Sequence, residues 1–246
     1  MNKVINGRNA NNKKVIALFV AQVVMGVMPV LLLIVFVWLQ LYNTPIIAAV
    51  FIVLIFLCNV AYMILARHYS VLNSGIKGEK RLYRAVKKLH GNNIIFRNLP
   101  VRYKRGRSEL DLLIISHKGI IIVEVKNHSG TISGGWKSDK WVQKKYYRDG
   151  KVTQQDMDNP IKQMRRQRDI VKSILNASGE NVWIDTVLYF SSPNAKLKLS
   201  LRENDYVCSS DAELLSFLEA YSGGETLSMS RMQKIAEIMK KASGEI

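Results

Sequence analysis

Apolar residues run without a charge from Val15 to Leu41 and again from Ile46 to Ala66, divided by the polar turn Tyr42-Asn43-Thr44-Pro45. At 1.5 Å per residue the runs make helices of about 40 and 31 Å, each long enough for a hydrocarbon core of about 30 Å. Trp38 and Tyr42 fall where interfacial aromatics sit, and Pro29 is a kink position. The pattern predicts a two-helix transmembrane hairpin. A signal peptide would carry a shorter apolar stretch and a small-residue cleavage site.

Beyond Ala66 the pattern is that of a globular chain. Residues 67–77 read as a juxtamembrane connector. Glu79–Leu89 reads as a helix with Leu82, Val86 and Leu89 on one face, ended by Gly91-Asn92-Asn93. Ile94–Val101 is a strand, followed by a basic loop from Arg102 to Arg107. Glu109–Ser116 and Gly119–Asn127 form a strand pair turning at His117-Lys118-Gly119. Thr131–Ser133 and Trp141–Tyr147 read as more exposed strands. Asp158-Asn159-Pro160 opens a helix that runs to Leu175, with Ile161, Met164, Val171, Ile174 and Leu175 inward. Val182–Phe190 and Tyr206–Cys208 are strands, and helices over Ser210–Tyr221 and Met229–Ala242 close the chain. The expected fold class is α/β (α+β): a mixed sheet flanked by helices, in one domain of about 170 residues.

Charge adds an orientation and a class of partner. All 19 acidic residues and 32 of the 36 basic ones lie after residue 66. Residues 1–14 carry Lys3, Arg8, Lys13 and Lys14, and the far flank continues with Arg67, Lys77, Lys80 and Arg81. Positive charge on both flanks and none in the turn predicts a multi-pass protein of the cell membrane with both termini and the soluble part cytoplasmic. A net charge of +17 suits a polyanion, either nucleic acid or anionic lipid. Cys58 and Cys208 are too far apart in kind and place to bridge. The four histidines show no metal-ligand spacing and read as surface residues, while Trp136 and Trp183 read as packing residues.

The candidate chemistry lies where charge enters the apolar strands. Glu124 and Lys126 share a face of their strand, and Asp111 begins the preceding one. An antiparallel pair brings the three together at one end of the sheet. Buried carboxylates beside a lysine cost several kcal/mol unless paired or bound to a metal. Asp111, Glu124 and the Val125 backbone carbonyl are hard oxygen donors suited to Mg²⁺ or Mn²⁺. Lys126 suits an attacking water or a phosphate charge. Two basic stretches suit a polyanion: Arg102, Lys104, Arg105 and Arg107 before the strand pair, and Lys140, Trp141, Lys144, Lys145 and Tyr147, where rings and charges interleave. Arg165 and Arg166 extend them. A solvated face or attraction to lipid head groups is the alternative for these stretches.

These residues resemble the nuclease-related domain (NERD), a branch of the PD-(D/E)xK phosphodiesterases with the restriction-endonuclease-like fold. The resemblance rests on Gly78-Glu79, Glu109-Leu110-Asp111, Gly119-Ile120 leading to Glu124-Val125-Lys126-Asn127, Gly130, Trp141, Asn159-Pro160 and Gln163. Leu110 stands where the superfamily's name has proline. The resemblance implies metal ligation by Asp111 and Glu124, catalysis by Lys126, a supporting acid at Glu79 and a site-edge amide at Gln163. It places the nuclease core at 78–190, with 191–246 completing the same domain. The implied activity is Mg²⁺- or Mn²⁺-dependent cleavage of nucleic acid, DNA favoured, with no small-molecule cofactor. Two rivals need no intact trio: a membrane-tethered nucleic-acid-binding module without turnover, and a scaffold for anionic lipid or a protein partner. A homodimer would let two sites cut two strands, and nothing in the sequence demands one.

Overall fold

The computed structural model describes residues 2–7, 10–223 and 226–244; Arg8 of the basic amino-terminal flank lies outside them. The chain divides into two units, Asn9–Ile76 and a globular unit made of Met1–Arg8 with Lys77–Ile246.

In the first unit, α1 (Ala10–Trp38) and α2 (Pro45–Val86) flank a short 3-10 turn at Leu41–Asn43. The Phe19–Tyr69 and Phe36–Phe51 ring pairs, at 5.7 and 5.2 Å between centroids, set the two helices side by side. Their apolar side chains point outward, with Ile46 81% and Phe56 65% exposed. Both helices are long and apolar enough to cross a membrane. The expected connector over 67–77 is helical, because no proline interrupts the segment and propagating a helix costs far less than starting one. The helix ends at Val86 rather than Leu89, since Lys88 and Leu89 tighten into bonds to Ala85 and Val86.

The globular unit contains β1 (Lys3–Asn6), the last turns of α2, β2 (Ile94–Tyr103), β3 (Gly106–Ser116), β4 (Gly119–Lys126), β5 (Gly130–Gly135), β6 (Lys140–Tyr146), β7 (Val152–Asp158), α3 (Pro160–Ala177), β8 (Ile184–Phe190), β9 (Ala195–Ser200), β10 (Tyr206–Cys208), α4 (Asp211–Ala220) and α5 (Met229–Ala242). A mixed six-stranded sheet has the order β1-β2-β3-β4-β8-β10, and a four-stranded sheet the order β7-β6-β5-β9. The expected basic loop is instead the end of a hairpin: Arg102 pairs with Arg107, and Lys104, at φ 51, turns the chain.

Helices cover both faces of the larger sheet, which is why its central strands are almost continuously apolar. One face packs Phe96, Leu113 and Ile122 against Val171 of α3 and Ile235 of α5. The other packs Ile95, Ile114 and Val123 against Leu82 and Val86 of α2 and Leu214 of α4. A third cluster joins Trp141 of β6 to Ile161 and Met164 of α3 and to Leu188 and Phe190 of β8. Asn159 caps α3: its Oδ1 accepts the Ile161 N–H at 2.9 Å, and its Nδ2 donates to the Gly135 and Ser138 carbonyls. That cap seats α3 beside the second sheet and aims its glutamines at β4.

Candidate active site

The β3–β4 ladder stops at Leu112 and Val123. Beyond that pair β3 stays with β2, from Leu99 against Leu110 to Tyr103 against Gly106. β4 stays with β8, Glu124 against Leu188 and Lys126 against Phe190. The strands fork where the sequence turns from isoleucine and leucine to Asp111 and Glu124. Asp111 is therefore the sixth residue of β3 rather than its beginning, because the pairing of β3 with β2 extends back to Gly106. Its Oδ2 accepts the Val125 N–H at 2.8 Å, so a side chain takes the place of the next ladder bond. A strand residue presents its N–H and C=O to the same edge, so the Val125 carbonyl also lies on the fork side.

Glu124 is buried, at 2% exposure. Lys126 Nζ donates to its Oε1 at 2.7 Å and to Gln163 Oε1 at 3.0 Å. Gln167 Nε2 donates to Glu124 Oε2 at 2.8 Å and to the Glu109 carbonyl at 3.0 Å. Glu79, from the last turns of α2, has its Oε2 held by Asn98 Nδ2 at 2.7 Å. The fork thus joins Glu124, Lys126 and Gln163 in one bonded network, with Asp111 tied to the same strand at the Val125 N–H. Burial, then the neighbouring Glu124 charge, raises the Asp111 carboxyl well above the usual range; Glu79 pushes the same way, against the Val125 N–H and Lys126. The fork is short of positive charge.

Gln167, which joins the network at Glu124, and Asn98, which holds Glu79, carry no sequence motif. Gln167 sits one turn after Gln163 on the same face, inside the apolar stripe between Met164 and Val171, and that misplaced amide was its signal. Asn98 interrupts an apolar strand in the same way. His128 is half-buried rather than a solvated surface group: its Nδ1 lies 3.3 Å from Gln143 Oε1, and burial lowers its pKa.

Among the described residues no three His, Cys, Asp or Glu side chains converge as a ready metal cage. The donors of the fork are two carboxylates and one peptide carbonyl. That set suits a hard cation such as Mg²⁺, which keeps several waters of its own. Each Glu124 oxygen engaged by Lys126 or Gln167 retains a second lone pair. Gln167 is fully buried and its Oε1 has no donor, an acceptor that a bound water would satisfy.

The basic stretches are rearranged by the fold. Trp141 is fully buried, with Nε1 donating to the Gly135 carbonyl at 3.0 Å, so it presents no face to a base. Strand alternation puts Trp141 and Lys145 on one face of β6 and Lys140 and Lys144 on the other. Lys140 pairs with Asp158, Tyr147 is exposed beyond the strand, and Arg102 and Arg107 stay on the surface. Lys104 and Arg105 of the β2–β3 turn meet Lys162, Arg165 and Arg166 of α3 around an open groove of about 530 Å³. Neither expected packing tryptophan is enclosed: Trp136 is half-buried with the Arg202 guanidinium 3.5 Å from its ring centroid, and Trp183 is 62% exposed.

The comparisons bear directly on this arrangement. A family model described as nuclease-related domain (NERD) matches residues 74–191. No curated protein and no solved structure matches the chain. The matched segment runs from the last turns of α2 through the fork and α3 to the end of β8, and so includes Glu79, Asp111, Glu124, Lys126 and Gln163. Through residues 74–191, just under half of its length, this chain is similar to the nuclease-related domain (NERD) family.

Proposed function

We propose that the chain is a membrane-anchored, cytosol-facing nuclease that hydrolyses phosphodiester bonds, DNA by preference, with Mg²⁺ or Mn²⁺. The observation that carries this reading is the fork, where two carboxylates and a peptide carbonyl meet an ammonium at 2.7 Å from one of them. Asp111, Glu124 and the Val125 carbonyl would hold the cation, which when bound polarises a phosphate and acidifies a water. Lys126, steadied by Glu124 and Gln163, is placed to orient that water and to offset charge on the phosphate. Gln167 holds Glu124 in register from the opposite side. The groove at Lys104, Arg105 and Arg166 supplies sequence-independent attraction to the backbone.

The two apolar helices support the tether, and β1 bears on its topology. Lys3–Asn6 pairs in parallel with Ile94–Arg97, so residues before α1 and after α2 share one sheet. A chain that leaves that sheet and rejoins it would cross a bilayer an even number of times, and the basic flanks favour a cytoplasmic sheet. A reporter fused to the carboxyl terminus should signal from the cytoplasm, and an extracytoplasmic signal would overturn this orientation.

The activity is tested on the full chain in detergent, because a fragment starting near residue 70 would lack the β1 edge. Labelled single- and double-stranded DNA and RNA are incubated with Mg²⁺, Mn²⁺ or EDTA. Cleavage is expected with either metal and none in EDTA, and Lys126→Ala should be at least about a hundredfold slower. Metal-independent cleavage contradicts the reading, and binding without cleavage under any metal would replace it with a tethered binding module.

A further inference from the structure

Asn98 is buried in the middle of β2, yet its backbone is left-handed, with φ 50. Few side chains other than asparagine, aspartate and glycine accept that conformation. The twist takes Asn98 out of the ladder: Arg97 pairs with Leu112 and Leu99 with Leu110, leaving Asn98 opposite Asp111 without a bridge. Its amide turns instead to α2, where Nδ2 donates to Glu79 Oε2 at 2.7 Å. The end of β1 closes over the twisted peptide. The Gly7 N–H bonds the Arg97 carbonyl at 2.8 Å, and a Cβ on Gly7 would stand 2.2 Å from the Asn98 carbonyl oxygen. Strained backbone of this kind persists only where the surroundings over-determine it, and it clusters at functional sites.

We propose that Asn98 is a positioning residue: standing opposite Asp111 in the β2–β3 register, its amide orients the Glu79 carboxylate of α2 and so sets the cation affinity of the fork. The inference rests on the metal-dependent reading above. Three contacts converge on it, from the β2 twist, the α2 acid and the Gly7 closure. Without the amide the Glu79 carboxylate loses a bond that orients it, and the negative field that the fork offers a cation weakens. An amide that orients a carboxylate in this way acts as the outer partners of metal ligands do, whose removal costs about 10–100-fold in metal affinity.

The test uses the full chain in detergent, with Mn²⁺ affinity measured by calorimetry and by the Mn²⁺-induced rise in Tm. Asn98→Gly keeps the left-handed backbone and removes only the amide. It is expected to weaken Mn²⁺ binding about tenfold while the melting transition in EDTA stays cooperative. In a Glu79→Ala background the same substitution should change nothing further, because Asn98 acts through Glu79. Asn98→Asp keeps the shape but faces Glu79 with a second carboxylate; it should weaken binding as well, and it decides the matter if the glycine variant does not fold. Wild-type binding unchanged by either variant, or full additivity with Glu79→Ala, would overturn the inference alone. Failure of the wild-type chain to bind Mn²⁺ would remove the metal reading and this inference together.

Discussion

Asp111→Asn is expected to slow metal-dependent cleavage by about a thousandfold and, in EDTA, to raise the melting temperature. The two effects have one cause. Asparagine is nearly isosteric and its side-chain oxygen can still accept the Val125 N–H, so the fork keeps its shape. What disappears is one of the two negative charges that would hold a cation. Without a cation that charge is a burden: burial and the adjacent Glu124 drive the Asp111 carboxyl well above its ordinary range. Removing it relieves the folded state, whereas removing it in the presence of substrate and Mg²⁺ removes a ligand. Cleavage kinetics with Mg²⁺ and melting curves in EDTA measure the two signs separately. Wild-type cleavage by the variant would refute the assignment of Asp111, and a lower melting temperature in EDTA would refute the charge-crowding argument. A Mn²⁺-dependent rise in Tm, present in the wild type and lost in the variant, would tie both to one ion.

The fork was half legible in the sequence. Charges at the ends of two apolar runs, 13 residues apart across a turn, are a local signal, because hairpin register follows from alternation and turn length. Where the strands part is not local. It depends on β2 holding β3 and on β8 holding β4, and those partners lie far away in the chain. The same limit hid β1, four residues whose partner begins at Ile94. β7 was hidden differently: Val152–Asp158 is almost wholly exposed and polar, so no alternation marks it as a strand. Gln163 was found through family resemblance, while Gln167, which bonds Glu124 directly, was visible only as a polar residue in an apolar stripe. The basic segment from Lys140 misled because composition ignores faces. Read with strand alternation, its tryptophan and two of its lysines part company.

Trp141 therefore carries a prediction about stability rather than substrate. Trp141→Ala is expected to cost about 3–5 kcal/mol, the range for deleting a large buried aromatic. The indole is fully buried among Ile132, Ile161, Met164, Leu188 and Phe190. It lies so close to β5 that a Cβ on Gly134 would stand 2.2 Å from its Cδ1, so glycine is what lets the ring pack against the backbone. Its loss also takes from the Gly135 carbonyl one of its two donors, leaving the Asn159 amide. Leu188 and Phe190 pair with Glu124 and Lys126 across β8 and β4, so the cavity opens beneath the strand ends that hold the charges of the fork. For a domain of this size the loss should lower Tm by about 10 °C, and Trp141→Phe, which fills most of the volume, by less. Nucleic-acid affinity of the folded fraction should not change. Lys104→Glu and Arg166→Glu in the groove should do the reverse, weakening binding and its salt dependence at nearly constant Tm. Melting curves and salt-titrated binding on these four variants separate the cases: weakened binding by Trp141→Ala at an unchanged Tm would mean that the ring meets the substrate after all.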